Sequence, residues 1–350
     1  MKILVDFHHS SLLRSLITLF EDRLDYEVYR PIGMEWFTKG YWQVNKQADT
    51  AVQYLGLDQA YIPGDGTPQL NQTNGPVVKE KGVYYCKDPD GIRLNRACTL
   101  DFFERNQFDI VIASIPAHIP VFKRLIRNYN PKAKLIVQMG NEWPLEYWKD
   151  NNVLASVKKR EVPVDCNAIF YHQEFDLSIF KPQPIKPNGN IYSFINVLSS
   201  FKRAQADFEA LELLLPDFNL KSFGGQCRDG NMNGEAELAN KINESQFVFH
   251  VKDHGDGYGH VIHNAYALGR PVITRSSDYK GKLAEELLVD STFIDLDKYN
   301  YPQVIKIIRD LTENPDRLAT MSEEQTSRFN KIINFERESK DIERWLTTLK

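Results

Sequence analysis

The sequence predicts an α/β protein built from two doubly wound domains. Three observations carry this. Short apolar runs alternate with amphipathic helical patterns along most of the chain, the signature of βα units around a parallel sheet. At 350 residues the chain is longer than a single core usually fills. A proline-rich stretch, FKPQPIKPNGN at Phe180–Asn190, divides the α/β pattern into two series.

The first series opens with KILVDF as a strand and SSLLRSLITLFEDR as a helix capped by Ser10 or Ser11. YEVYRP reads as the next strand. From about Trp36 to Arg105 the pattern weakens. YIPGDGTPQLNQTNGP reads as loop, and GVYYCKDPDGIRL as a hairpin turning at Asp88–Gly91. Order returns with FDIVIASIP (strand), HIPVFKRLIRNY (helix), AKLIVQMG (strand) and CNAIFYHQ (strand). After the proline-rich linker come IYSFINVL (strand), KRAQADFEALELLL (helix), FNLKSFGG (strand), EAELANKINES (helix) and QFVFHVK (strand). GHVIHNAYALG (helix) and PVITRS (strand) follow, and then helices at YPQVIKIIRDLTEN and from about Asp316 to the end. No fixed-period repeat is present.

Bulk properties exclude several classes. The composition is that of an ordinary globular protein, 42% hydrophobic and 26% charged, and a net charge of −4 gives no overall basic field for nucleic acid or anionic lipid. Cys86, Cys98, Cys166 and Cys227 form no CxxC pair, which argues against a zinc ribbon or a disulfide framework and suits a reducing, cytoplasmic setting. The apolar start MKILV is interrupted by Asp6 and is too short for a signal peptide, and no run approaches the ~20 apolar residues of a membrane span.

The chemistry concentrates in HGDGYGHVIHNAYALGRPVI, His254–Ile273. A strand, a polar glycine-rich loop and a helix follow one another there. A helix entered from such a loop points free N–H groups and its positive dipole end outward, which favours an anion, most often a phosphate. Gly257 and Gly259 allow close backbone approach. With a helix start near Asp256, residues Asp256, His260 and Asn264 fall at i, i+4 and i+8 along one face. The alternative is an aspartate cap on a solvated face. A metal reading uses His250, His254, His260 and His263, but their spacing fits no standard zinc motif, so no metal is expected.

DGYGHVIHNAYALGRPVI resembles the donor-binding segment of the GT-B glycosyltransferases, the retaining, nucleotide-sugar-dependent type (group 1, family 4-like). Their segment reads Glu-Gly-Phe-Gly, an apolar run, a second Glu eight positions on, and then Ala, a small residue, Gly and Arg-Pro-Val-Ile. GYG and ALGRPVI match, with Asp256 and Asn264 in the two Glu positions. FDLSIFKP (Phe175–Pro182) is similar to the element that ends the family's first domain, and IYSFINVLSSFKRAQADFEAL to the opening of its donor domain. The resemblance implies two Rossmann-like domains facing across a cleft. It places an acceptor-binding domain at 1–183, a nucleotide-sugar-binding domain at 184–333, and a C-terminal helix at 334–350 packing back on the first.

The resemblance also implies roles. Lys202 and Arg203 match the basic pair that holds the donor diphosphate, whose negative charge grows as it leaves. Asn196 stands where the family often has a further Arg. Gly257, Tyr258, Gly259 and His260 belong to the phosphate cradle, Asp256 to the donor-sugar hydroxyls and Asn264 to the ribose. Asn141 or Glu142 takes the polar role near the anomeric carbon, with Glu142 the candidate carboxylate and helix capping the competing role. His118 follows a strand and is a candidate to face the cleft. His9 and Ser10 are candidates to line the acceptor side. Trp143, Tyr258 and Tyr266 offer rings for stacking, with core packing the competing role for Tyr266.

The implied co-substrate is a nucleotide sugar, UDP-sugar favoured, without a metal or other cofactor. The acceptor is open: a glycan, a small molecule or modified DNA. Lys79, Lys81, Lys87, Arg93 and Arg96 are the basic residues that would meet a polyanion. Two readings compete with glycosyl transfer to an ordinary acceptor. One is a non-catalytic nucleotide- or glycan-binding protein of the same fold, favoured by Asp256 and Asn264. The other is a glycosyltransferase acting on hydroxymethylated pyrimidines in DNA.

Overall fold

The computed structural model describes residues 1–6, 10–31, 74–81, 83–87, 94–116, 118–140, 144–158, 165–253 and 255–349. They form two compact units, one of Met1–Phe175 with Phe335–Lys350, the other of Asp176–Asn334.

The first unit begins with β1 (Lys2–Val5) and α1 (Ser10–Ile17), which continues as a π-helical turn at Thr18–Arg23. There follow β2 (Glu27–Pro31), β3 (Asn74–Glu80), β4 (Val83–Lys87), β5 (Leu94–Cys98), α2 (Leu100–Arg105), β6 (Ile110–Ala113) and α3 (His118–Tyr129). β7 (Lys134–Met139), β8 (Asn152–Ala155) and β9 (Asn167–Phe170) complete its sheet, whose order among the described residues is β3-β4-β5-β2-β1-β6-β7-β8-β9. The centre is parallel, from β2 through β9, while β4 pairs antiparallel with both β3 and β5.

Side-chain alternation explains why these strands are apolar throughout. Ile3, Val5, Ile110, Ile112 and Ile136 join a core on one face, and Leu4, Val111, Ala113 and Val137 join another on the opposite face. A parallel sheet covered on both sides needs apolar residues at every position. The hairpin expected around Asp88–Gly91 appears as the β4/β5 pairing, its turn lying outside the described residues. β3 starts inside the stretch expected to be loop. Of the basic residues considered for a polyanion, Arg96 is ion-paired with Glu21, and Lys81 lies 3.9 Å from Glu80. Arg93 and the side chains of Lys79 and Lys87 lie outside the described residues.

The second unit runs β10 (Asn190–Ser193), α4 (Lys202–Leu214), β11 (Asn219–Ser222), α5 (Glu235–Glu244), β12 (Phe247–Phe249), α6 (His260–Ala267) and β13 (Val272–Thr274). β14 (Phe293–Asp295), α7 (Tyr301–Glu313) and α8 (Pro315–Ile332) follow. Its sheet is parallel throughout, in the order β11-β10-β12-β13-β14. Ile191, Phe247, Phe249, Ile273 and Ile294 from these strands pack with Phe208, Val304 and Leu318 from helices in one core. Asn300 caps α7 through a full capping box with Gln303, which fixes where that helix begins.

The last helix, α9 (Phe335–Leu346), belongs to the first unit. Ile342, Trp345 and Leu346 join the core of Ile3 and Val5, Trp345 Nε1 donates to Asn167 Oδ1 at 3.0 Å, and Glu338 accepts from the His172 backbone N–H at 2.7 Å.

Candidate functional site

In the second sheet β10 lies between β11 and β12. The chain leaves β10 for β11 on one side and later places β12 on the other, so the strand order reverses between β10 and β12. In an open parallel sheet such a switch point leaves a crevice beyond the strand ends, flanked by the starts of two helices. Here these are α4, which follows β10 after a 3₁₀ turn at Leu198–Ser200, and α6, which follows β12 and the 250–259 loop.

α6 begins at His260, not near Asp256, so Asp256 is a loop residue and shares no helix face with His260 and Asn264. The helix is entered through Gly259, held at φ 83° and ψ 49°, which has no side chain to cap it. Ile262 N–H turns back to the Gly259 carbonyl oxygen at 3.1 Å, and the positive dipole end of the helix faces the loop, a setting that favours an anion. The tightest backbone position in the loop is Gly255, at φ +69°, where a Cβ would come 2.0 Å from the Asp278 carbonyl oxygen. Gly257 is not among the positive-φ glycines.

Asp256 is held by two partners from its own loop. His250 Nε2 lies 2.9 Å from Oδ2, and Lys252 Nζ bonds Oδ1. Burial opposes ionisation of this carboxyl, but His250 and Lys252 outweigh it and hold it well below the usual carboxylate range. The His250 ring is 2% exposed, and its Nδ1 has no hydrogen-bond partner.

Lys202 and Arg203 open α4, both exposed, and they differ sharply. Lys202 forms no ion pair among the described residues. Arg203 donates from Nη2 to Asp278 Oδ1 and places Nε 3.6 Å from Asp253 Oδ1. The Arg203 backbone N–H also points to Asp253 Oδ2 at 3.4 Å, so a carboxylate already sits at the start of α4. Burial raises the Asp278 carboxyl against the pull of Arg203. Asn196, near the end of β10, accepts from Gly225 N–H.

The remaining ring and amide candidates are mostly interior. Tyr258 is 3% exposed and stacks on His263 with ring centroids 4.0 Å apart, so its face is not open to a sugar. His260 meets the same ring edge-on at 4.9 Å. His263 Nδ1 lies 2.9 Å from the Gly259 carbonyl oxygen, which ties the histidine to the loop end. Tyr266 is fully buried, with its hydroxyl 2.7 Å from Thr292 Oγ1: it packs the core and offers no stacking face. Asn264 is buried on the second turn of α6, and its Oδ1 has no partner. Among the described residues no group of three or more His, Cys, Asp or Glu could hold a metal ion.

In the first unit His118 is an interior residue. It is the first residue of α3, fully buried, with Nδ1 against Asp6 Oδ2. Asp6 also accepts from the Ser114 hydroxyl and from the Ser114 N–H at 2.7 Å. The cluster ties the ends of β1 and β6 to the start of α3. Asn141, Glu142, Trp143, His9 and His254 lie outside the described residues, as does the side chain of Ser10, the residue that opens α1.

Sequence reasoning passed over Lys252, Asp253, Asp278 and Tyr279. Lys252 ends the run read as a strand and Asp253 follows it, just before the stretch singled out, where a cation four residues before Asp256 was a readable signal. Asp278 and Tyr279 come from a different loop and carried none.

Neither a protein-family profile nor a curated protein sequence matches the chain. Solved structures match it over nearly its whole length. HepE from Anabaena, in complex with UDP-glucose, superposes with a TM-score of 0.62 at 14% identity, covering 100% of both chains. Sucrose-phosphate synthase from Thermosynechococcus elongatus gives 0.64 at 10% identity, covering 99% of this chain and 98% of its own. An alpha-glucosyltransferase in complex with UDP-glucose and DNA containing an abasic site gives 0.58 at 12% identity, covering 99% of each chain. The fold is that of the GT-B glycosyltransferases. Each unit carries one sheet, parallel at its centre in the first and throughout in the second, and no described helix is long and apolar enough to cross a membrane.

Proposed function

We propose that this GT-B chain is a glycosyltransferase that moves a sugar from a nucleoside diphosphate sugar to an acceptor, with retention of anomeric configuration. One observation carries the proposal: the start of α6, entered through Gly259, stands at the switch point beside β10, with Lys202, which forms no ion pair among the described residues, at the head of the neighbouring helix. That arrangement suits a leaving diphosphate. As the bond from the anomeric carbon to the diphosphate oxygen breaks, its electron pair passes to the phosphate, and amide hydrogens and a cation stabilise the added charge. The acceptor hydroxyl then bonds to the same face of the carbon and gives its proton to the departing phosphate oxygen.

UDP-sugar is the favoured donor, since HepE and the alpha-glucosyltransferase are both described with UDP-glucose. No metal enters the reaction as proposed. Asp256 orients donor-sugar hydroxyls through the lone pairs that His250 and Lys252 leave free, and Asn264 serves the ribose. Asn141 or Glu142 is assigned the polar role near the anomeric carbon, and His9 with Ser10 the acceptor side. His118, being enclosed, supports the frame of the first unit.

A second reading, a non-catalytic binder, draws on the engagement of both Asp256 oxygens within the loop. Incubating the protein with UDP-, GDP- and ADP-sugars separates the two. Hydrolysis or transfer from one of them supports the enzyme. Binding without turnover selects the binder, and neither binding nor turnover rejects both.

A further inference from the structure

We infer that Lys252, and not Arg203, is the side chain that pairs with Lys202 to grip the diphosphate of the donor. This rests on the donor reading above and names a residue that neither the sequence pattern nor the fold assigns.

The switch point supplies the place. Lys252 stands three positions beyond β12, in the loop that leads to α6. Its ammonium bonds Asp256 Oδ1 and lies 5.3 Å from the ring centroid of Phe201, the residue that precedes α4. The side chain thus reaches from the entry of one crevice helix to the entry of the other.

Charge balance selects Lys252 over its neighbour. The Arg203 guanidinium faces two carboxylates, Asp278 and Asp253, and Asp253 also lies 3.4 Å from the Arg203 backbone N–H at the start of α4. A diphosphate placed there would meet those carboxylates at short range, and like charges a few ångströms apart repel strongly at a partly buried site. Lys252 faces one carboxylate, and His250 shares it. An ammonium has three donors, so two remain, and the side chain is 31% exposed. The α6 entry beside it is a glycine, Gly259, which brings no capping side chain of its own.

Unpartnered polar atoms occur on the elements around this loop. His250 Nδ1, Asn264 Oδ1 and Tyr279 Oη are buried without hydrogen bonds. The Tyr279 ring stands 3.5 Å from where a Cβ on Gly259 would be, and its centroid is 6.2 Å from that of His250. Buried orphan atoms are rare enough in folded proteins to mark a spot completed by water or ligand.

The test is direct binding by the full chain of UDP, UMP and uridine, using calorimetry, with circular dichroism to verify folding. K252Q is expected to weaken UDP about tenfold or more, the scale of one charge-assisted contact, and to leave uridine unchanged. K252R is expected to recover most of the loss, and R203Q to change UDP affinity less than about threefold. The double variant K252Q/D256N, which removes both charges of the loop pair together, is expected to lose UDP to the same degree and guards against a folding artefact from an orphaned Asp256. UDP affinity equal to wild type in K252Q overturns the inference, as does an equal loss for UDP and uridine. If wild type binds none of UDP, GDP and ADP, the donor reading itself falls. If it binds one of them and only R203Q weakens it, the donor reading stands and the assignment to Lys252 fails.

Discussion

Gly255 shows how one residue fixes the loop at the switch point. Its backbone is left-handed, and a methyl group there would lie 2.0 Å from the Asp278 carbonyl oxygen. Backbone cannot yield as a flexible side-chain tip does. Gly255→Ala is therefore expected to destabilise the second unit by about 2–4 kcal/mol, combining strain with overpacking, and to loosen Asp256 next to it. Gly259→Ala, which meets only the Ala284 methyl at 3.1 Å and the Tyr279 ring, is expected to cost less. Urea unfolding of both variants checks the order; equal costs would refute it. At this scale the sequence spoke through GYG and ALGRPVI, because glycines at a strand-loop-helix junction are a local signal. Asp278 was silent because its partner Arg203 stands 75 residues away, and no pattern along a chain encodes that encounter.

Among the elements, helices with an apolar stripe were readable, and so were most short strands: β12 and β13, three residues each, lie inside the apolar runs QFVFHVK and PVITRS. α4, α6 and α7 fall where their patterns place them. β8 (NVLA) and β14 (FID) carried no expectation, because each stands among polar residues with neither alternation nor a turn pair to mark it. The chain that leaves β9 shows what such buried segments can store. Glu174, 2% exposed, meets Arg23 at the end of the π-helical turn, with Glu338 of α9 adding negative charge nearby. Burial pushes its carboxyl up to about 7 from an ordinary 4.5, even though Arg23 pulls the other way. Between those values the folded chain keeps a proton that the unfolded chain has released. The contribution to stability is full below about 4.5 and is lost as pH rises through 7. The loss is on the order of 1–3 kcal/mol. Glu174→Gln, which cannot ionise, is expected to melt higher than wild type at pH 8 and close to it at pH 5. A melting difference independent of pH over that range would reject the assignment.

For the whole molecule the decisive fact is that one unit is continuous in sequence and the other is not. The second unit runs from Asp176 to Asn334, whereas the first needs the chain to return at Phe335. Helical periodicity made α9 visible in the sequence and the family resemblance implied its return to the first domain; the side chains it buries say how it is held. Phe335, Ile342, Trp345 and Leu346 are buried, the last three in the core of Ile3, Val5 and Ile110. At about 1.5–3 kcal/mol for each large apolar side chain removed from its core, the four amount to roughly 6–12 kcal/mol, comparable to the stability of an entire domain. A chain ending at Asn334 should therefore lose the first unit while the second keeps its own core of Ile191, Phe247 and Val304. In calorimetry the truncated chain is expected to retain one thermal transition, and UDP is expected to raise that transition because the proposed donor site lies wholly within 176–334. Retention of the full melting profile would show that α9 is dispensable. A surviving transition that UDP, GDP and ADP all leave unmoved, although one of them raises a transition of the full chain, would show that the second unit alone does not make the donor site.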